Sequence, residues 1–348
     1  MKAYIDLLCQ LIETPSLSRS EAQAAQVLRQ FIERRNVAFE AINQNTLIRN
    51  KHWDDSKPTI MLNSHIDTVK AAENWNYPPF KATLEGNKLT GLGSNDAGAS
   101  VVTLLAVFMH FYAGENLPFN LLYVASAEEE MSGANGMESL IPKLGKIDLA
   151  VVGEPTQMNL AVAEKGLMVL DCKAVGKAGH AARNEGENAL YKALDDINTL
   201  RNYQFEQVSE FLGELKMSVT QIEAGYQHNV VPDVCKFVVD VRTNEHYSNP
   251  EALQIIQSLV QSEVKARSTR LNSSRINHTH PIVQRGLALA RKTFGSPTMS
   301  DQALMPFTSI KIGPGDSARS HTADEYILLS EMKEAYQIYI NLLDGLVL

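Results

Sequence analysis

Asn63-Ser-His-Ile-Asp-Thr-Val69 is the stretch from which the fold of this chain is read. It follows an apolar run, Thr59-Ile-Met-Leu62, whose polar borders mark a buried strand. His65 then falls at the carboxyl end of that strand, where open α/β sheets gather their ligands. A neutral imidazole is a common zinc ligand. A carboxylate two residues on, Asp67, can take the proton of the other ring nitrogen and fix the tautomer. An H-x-D pair is weak evidence by itself, and three later stretches add to it.

The first is Gly91-Leu-Gly-Ser-Asn-Asp-Ala-Gly98, whose glycines permit a tight turn before an apolar helix that starts near Ala99. Asp96 is open to two readings: a helix N-cap, or a carboxylate facing the cleft that holds His65. The second follows another buried strand, Asn120-Leu-Leu-Tyr-Val-Ala125, and reads Ser126-Ala-Glu-Glu-Glu-Met-Ser-Gly133. Three successive carboxylates repel one another unless something positive sits beside them. They form either a solvated acidic turn or a metal ligand with a free neighbour acting as base, in a register that Glu128–Glu130 leaves open. The third is Glu154, directly after the strand Asp148-Leu-Ala-Val-Val-Gly153. An acid at a strand end on three strands, with His65 on one of them, points to one metal site.

Composition narrows the alternatives. At 348 residues the chain exceeds one ordinary core, so two domains are expected. Its 44% hydrophobic and 21% charged residues are those of a soluble globular protein. A net charge of −8 without a basic cluster argues against nucleic acid. Cys9, Cys172 and Cys235 give neither a disulfide framework nor C-x-x-C spacing, which suits a reducing cytoplasm. The opening residues do not read as a signal peptide. The longest apolar stretch, Val101 to Ala113, is too short to span a bilayer, so no membrane partner is expected.

Other elements follow from periodicity. Tyr4 to Ile12 has helical spacing, and Ser20 is expected to cap a helix running to about Arg34. From Leu167 the chain reads strand (167–175), helix (189–200), strand (216–223), strand (234–242), helix (250–265) and a last strand near Ser268. That β-α-β-β-α-β order is the ferredoxin-like split unit, and it carries no metal-ligand motif. Pro281 is expected to return the chain to the first domain. A helix near 282–294, a strand at 309–312 and a helix at 330–343 then complete it. The domains expected are 1–166 with 280–348, and an insert at 167–279.

The ordered motifs Ser64-His-Ile-Asp67, Gly93-Ser-Asn-Asp96, Ala127-Glu-Glu-Glu130, Gly153-Glu-Pro155, Gly313-Pro-Gly-Asp-Ser317 and Ser320-His-Thr-Ala-Asp-Glu325 resemble a known family. It is the dinuclear-zinc amidohydrolases that include acetylornithine deacetylase, succinyl-diaminopimelate desuccinylase, aminoacylase and carboxypeptidase G. The resemblance covers nearly the whole chain. It implies a three-layer α/β/α catalytic domain of zinc-exopeptidase type, with the ferredoxin-like insert as lid and dimerisation domain. It makes Asp96 the carboxylate bridging two zinc ions, with cobalt a substitute. His65 and Glu154 complete one ion's ligands, and Glu130 and His321 the other's. Glu129 is implied as general base, Asp67 as partner of His65, and Asp96–Ala97 as a cis peptide. In the insert, His180 is implied to reach a partner subunit's site and hold the oxyanion, which requires a homodimer. Asn229 and Gly315 are implied to face the substrate, and Arg242 to grip its carboxylate, although Arg242 could instead pair with Asp240 on the surface.

The chemistry of these residue types agrees. Zinc accepts imidazole nitrogen and carboxylate oxygen. Two ions about 3.5 Å apart need a bridge, which one aspartate supplies. A free carboxylate nearby can take a proton from water and pass it to a leaving amine. The expected reaction is hydrolysis of the N-acyl bond of an N-acyl amino acid, with N-acetyl-L-ornithine as the nearest substrate by overall length, the Ala127-Glu-Glu-Glu register and the chain's ending. Alternatives are an N-succinyl amino acid, whose extra carboxylate Arg270 or Arg275 could meet, a dipeptide, and a non-catalytic zinc-binding protein on this fold. Retention of Glu129 beside all five ligands argues against the last.

Overall fold

The computed structural model describes residues 1–183 and 185–348, which form two compact units. The first comprises Met1–Val162, Arg275–Phe294 and Ser300–Leu348, and the second Ala163–Ser274 with Gly295–Met299. The main segment of the second unit begins and ends a few residues before the expected 167–279 insert, and Gly295–Met299, expected in the first domain, joins it.

The first unit opens with helices α1 (Lys2–Ile12) and α2 (Ala22–Glu33) and strands β1 (Asn45–Arg49) and β2 (Thr59–His65). Helix α3 (Ala99–Phe111), strand β3 (Asn120–Ser126), helix α4 (Met137–Leu144) and strand β4 (Leu149–Val152) follow. The second unit contributes β5 (Met168–Val175), α5 (Ala189–Asn202), β6 (Lys216–Ala224), β7 (Val234–Arg242), α6 (Asn249–Leu259) and β8 (Glu263–Ala266). The chain returns through α7 (Pro281–Ala288) and β9 (Ser309–Lys311) and closes with α8 (Leu329–Leu343).

In the first unit the strands lie in the order β1-β3-β2-β4-β9. Strands β3, β2, β4 and β9 run parallel, and β1 is antiparallel to β3. Every residue of β2 and β3 is buried, because helices cover both faces of a parallel sheet. Met61, Leu122 and Val124 face α4 and pack with Met137, Leu140 and Leu144. Their sequence neighbours point the other way: the hydroxyl of Tyr123 donates to the Val101 carbonyl of α3. Helices α1 and α8 pack against α3 to complete that layer. This is the expected three-layer α/β/α domain.

The second unit is a four-stranded antiparallel sheet in the order β6-β7-β5-β8. That order is the ferredoxin-like arrangement, with α5 and α6 packed around a core that includes Cys172, Phe237 and Ile256.

Three helix ends differ from expectation, each because of a specific bond. Ser20 does not cap α2; its amide donates to Leu17. Glu21 precedes that helix and turns its carboxylate inward to accept from the amides of Arg19 and Glu128, at 2.8 and 3.1 Å. Helix α6 ends at Leu259 rather than near Lys265, because the Asp196 carboxylate captures the next amides, those of Gln261 and Ser262. Residues 263–266 are therefore free to form the last strand, which lies ahead of the expected position near Ser268. Helix α7 stops at Ala288 because Ala290 adopts a left-handed φ of 59° and Arg291 donates back to Gly286, a Schellman-type end. His280 accepts from the Ile282 amide at the start of α7.

Among the described residues no helix is long and apolar enough to cross a membrane. The three cysteines are free.

Candidate metal centre

The carboxyl ends of β2, β3 and β4 bring the singled-out residues of the first unit together. His65 is the last residue of β2 and is 1% exposed. Its Nδ1 lies 3.0 Å from the Asp67 carbonyl oxygen and 3.5 Å from the Asp67 carboxylate. Both are acceptors, so Nδ1 carries a proton toward Asp67 and Nε2 is the nitrogen that faces the cleft. That Nε2 lies 3.2 Å from Asp96 Oδ1, 3.6 Å from Glu154 Oε1 and 3.8 Å from Glu129 Oε2. On the other side, His321 Nε2 lies 3.0 Å from Glu130 Oε2 and 3.7 Å from Asp96 Oδ2. Asp96 therefore presents one oxygen to each imidazole.

Each residue is held by local structure. Beyond β3, Glu128 takes a left-handed φ of 56° and a 3₁₀ turn covers Glu129–Met131. Asp67 fixes this turn, because its carboxylate accepts from the amides of Glu129 and Glu130 at 3.0 and 3.2 Å and from Ser18 Oγ at 2.7 Å. The turn that carries Asp96 has a cis Asp96–Ala97 peptide, and Asp96 caps nothing; its carboxylate turns to His65. Glu154 follows β4 through Gly153, where a Cβ would strike Ser100 and Leu104 of α3. Gly315 has φ 87°, and a Cβ there would collide with Asn95 Oδ1, so its bare backbone lets the two loops meet.

The electrostatics of this cluster suit bound cations. Burial pushes Glu129 well above the usual carboxylate range; His65 opposes this, while Glu154, Asp301 and Glu130 add to it. Burial likewise pushes Glu154 up to about 8, against the pull of His65. Burial alone would lower His65, but Glu129, Asp67, Asp96 and Glu154 hold it well above its ordinary value. The bond to Glu130 raises His321 to about 9. Four carboxylates thus crowd two imidazoles in a water-poor site. Ligand atoms of His65, Asp96 and Glu130 all lie within 4.8 Å of one another, as do those of His65, Glu129 and Glu154. Nitrogen and oxygen donors at this density fit divalent ions.

Sequence reasoning gave no role to two buried acids here. Glu325 accepts from three amides of the Asp96 turn. Asp301 accepts from Ser126 Oγ at 2.6 Å, and from the Asn63 amide when that group is turned to satisfy both its atoms. Burial pushes them to about 7 and about 6. Glu325 lies inside a quoted motif, four residues past His321, and Asp301 has no spacing signal.

His180, Asn229 and Arg242 lie in the second unit. A two-residue ribbon pairs Gly179–His180 with Val230–Val231, and the Ala181 amide donates to the Asn229 carbonyl, so His180 and Asn229 are neighbours. Asn229 Oδ1 is buried without a hydrogen-bond partner among the described residues. Arg242 forms a bidentate pair with Asp240 at 2.8 and 3.1 Å, the alternative its sequence position left open.

The chain belongs to peptidase family M20/M25/M40, whose sequence pattern matches residues 61–345. It is a metal-dependent hydrolase of that family, whose solved members include a dinuclear metal-binding peptidase. Among its relatives, succinyl-diaminopimelate desuccinylase of Orientia tsutsugamushi (strain Boryong) is 26% identical over 75% of this chain and 72% of that protein. Aminopeptidase PepT from Bacillus cereus shares the fold with a TM-score of 0.78 at 14% identity, covering 98% of this chain and 97% of that one. The dinuclear metal-binding M20 peptidase YXEP of Bacillus subtilis does so with a TM-score of 0.70 at 18% identity, covering 97% and 96%.

Proposed function

We propose that this chain hydrolyses the N-acyl bond of an N-acyl amino acid, using two divalent ions, zinc by preference. The observation that carries the reading is Asp96, with one carboxylate oxygen toward His65 and the other toward His321. His65, Glu154 and one oxygen of Asp96 would hold one ion, and Glu130, His321 and the other oxygen the second. When bound, the ions would supply Lewis acidity toward the acyl carbonyl and lower the pKa of the attacking water.

The protein's own groups do the rest. Asp67 keeps the Nδ1 proton of His65, so that Nε2 remains a lone-pair donor. Glu129 stands back from His65 at 3.8 Å, its carboxylate in a buried site that raises its proton affinity. It takes a proton from the attacking water at a carboxylate oxygen and delivers it to the leaving nitrogen. Arg242 is assigned to the substrate carboxylate, in exchange for Asp240, because its fork suits either partner bidentately. Asn229 and Gly315 are assigned to the substrate as well. His180 is assigned to the oxyanion of a partner subunit in a cytoplasmic homodimer.

For the acyl group, the motif resemblance favours N-acetyl-L-ornithine. A second reading, an N-succinyl amino acid, is supported by the desuccinylase names of the curated relatives. Assay of N-acetyl and N-succinyl amino acids, with dipeptides alongside and zinc added, separates these. The amidohydrolase proposal expects turnover of at least one acylated amino acid that disappears with chelator. Turnover of dipeptides alone overturns it.

A further inference from the structure

The turn Gly93–Asp96 places the carboxylate on which both candidate ions depend, yet it belongs to no regular ladder. Three of its amides converge on one side chain. Gly93 N donates to Glu325 Oε2 at 3.0 Å, and Asn95 N and Asp96 N donate to Glu325 Oε1 at 2.8 and 2.9 Å. Converging amides of this kind form an anion-binding concavity. Here the anion is internal, and Glu325 is 2% exposed. The backbone carbonyl of Glu325 also accepts from Gly91 N at 3.0 Å, so both sides of the turn hang on this residue.

The tie is reciprocal. Asn95, on the turn, accepts from Asp316 N at 3.1 Å through Oδ1 and donates to Asp316 O and Ser320 Oγ at 3.1 and 3.3 Å. Ser320 precedes His321, and Glu325 follows it by four residues. One short segment therefore carries the second imidazole and also holds the turn that aims Asp96 at it.

We propose that Glu325 is a positioning residue that fixes the distance between Asp96 and His321, and so sets the affinity and geometry of the two-ion site. It touches neither the expected ions nor the substrate; it acts through the Asp96 turn. Glu325→Gln keeps size and shape but replaces one carboxylate oxygen with an NH2 group. Whichever way the amide turns, a donor then faces either Gly93 N or the Asn95 and Asp96 amides. The turn loses part of its anchor while every candidate ligand remains.

The inference rests on the metal-centre reading, and the test separates the two. Full-length wild type, Glu325→Gln and Asn95→Ala are titrated with zinc against a chromophoric chelator, and the cobalt-loaded proteins are compared by their visible d–d spectra. Asp196→Ala, a destabilising change in the second unit, serves as the control for stability alone. Wild type and Asp196→Ala are expected to bind two ions alike. Glu325→Gln and Asn95→Ala are expected to bind about ten-fold or more weakly, with shifted cobalt spectra. If Glu325→Gln does not accumulate as folded protein, Glu325→Asp, which keeps the charge but withdraws the carboxylate from the three amides, takes its place with the same expected loss. Wild-type affinity and an unchanged spectrum in the variants, with only the melting temperature lowered, overturns the positioning role. Failure of the wild type to bind a pair of ions overturns the metal reading and this inference with it.

Discussion

Glu129 and Glu130 are adjacent, chemically identical residues, and the motif resemblance makes the first the base and the second a ligand. Glu130 approaches His321 at 3.0 Å, while Glu129 lies 3.8 Å from His65, close to the 3.6 Å of Glu154. Glu129→Gln is therefore expected to lower kcat by at least about 10²-fold with metal content unchanged. Loss of metal from Glu129→Gln but not from Glu130→Gln would exchange the two roles. Asp96→Ala should weaken both ions, because each uses one of its oxygens, while Glu154→Ala should weaken mainly one. Elemental analysis showing no more than one tightly held ion in the wild type at saturating zinc would count against a bridge. Glu129, Glu130 and Glu154 were legible because acids recurred at strand ends, where no packing demand calls for them, whereas the bridging role of Asp96 came from the motif resemblance, since its position also reads as a helix N-cap. Glu325 and Asp301 were not, since a single acid whose partners lie on the Asp96 turn or on Ser126 has no period and no spacing to betray it.

Elements were legible where burial repeats along them. Strands β2 and β3 read as continuous apolar runs because both faces are covered, and the second unit showed its order through alternation along β5 and β7. Helix ends were less legible, because a distant side chain can set them. Asp196 accepts from the Gln261 and Ser262 amides and from Ser262 Oγ, and is itself only 6% exposed. Periodicity from Pro250 onward does not register an acceptor on another helix. Asp196→Ala leaves three donors without this acceptor, so it is expected to destabilise the second unit by about 2 kcal/mol or more. Chemical denaturation followed by a probe in that unit measures the loss, and zinc stoichiometry should not change. An unaltered denaturation midpoint would mean that water replaces the carboxylate at no cost.

At the scale of the whole molecule, the first unit assembles every candidate ligand and the base, and the second contains neither. The second unit does bring His180 beside Asn229 on a short ribbon. A hydrolase of amides needs a donor for the negative charge that develops on the carbonyl oxygen, and an oxyanion donor typically contributes about 3 kcal/mol. If His180 is that donor, His180→Ala should lower kcat by roughly 10²-fold or more with metal content and stability preserved. The proposed donation runs from one subunit to its partner, which makes the defect complementable. Mixing His180→Ala chains with Glu129→Gln chains creates heterodimers with two unlike sites. One site carries the Glu129→Gln change and also receives the His180→Ala change from its partner. The other keeps Glu129 and receives an intact His180. By the two-fold symmetry of such a dimer, each heterodimer should recover up to about half of wild-type activity. Subunit exchange must be measured in parallel, by mass spectrometry of the mixed assembly. Chains that exchange yet show no activity above either parent would place His180 in its own subunit's site or outside catalysis altogether.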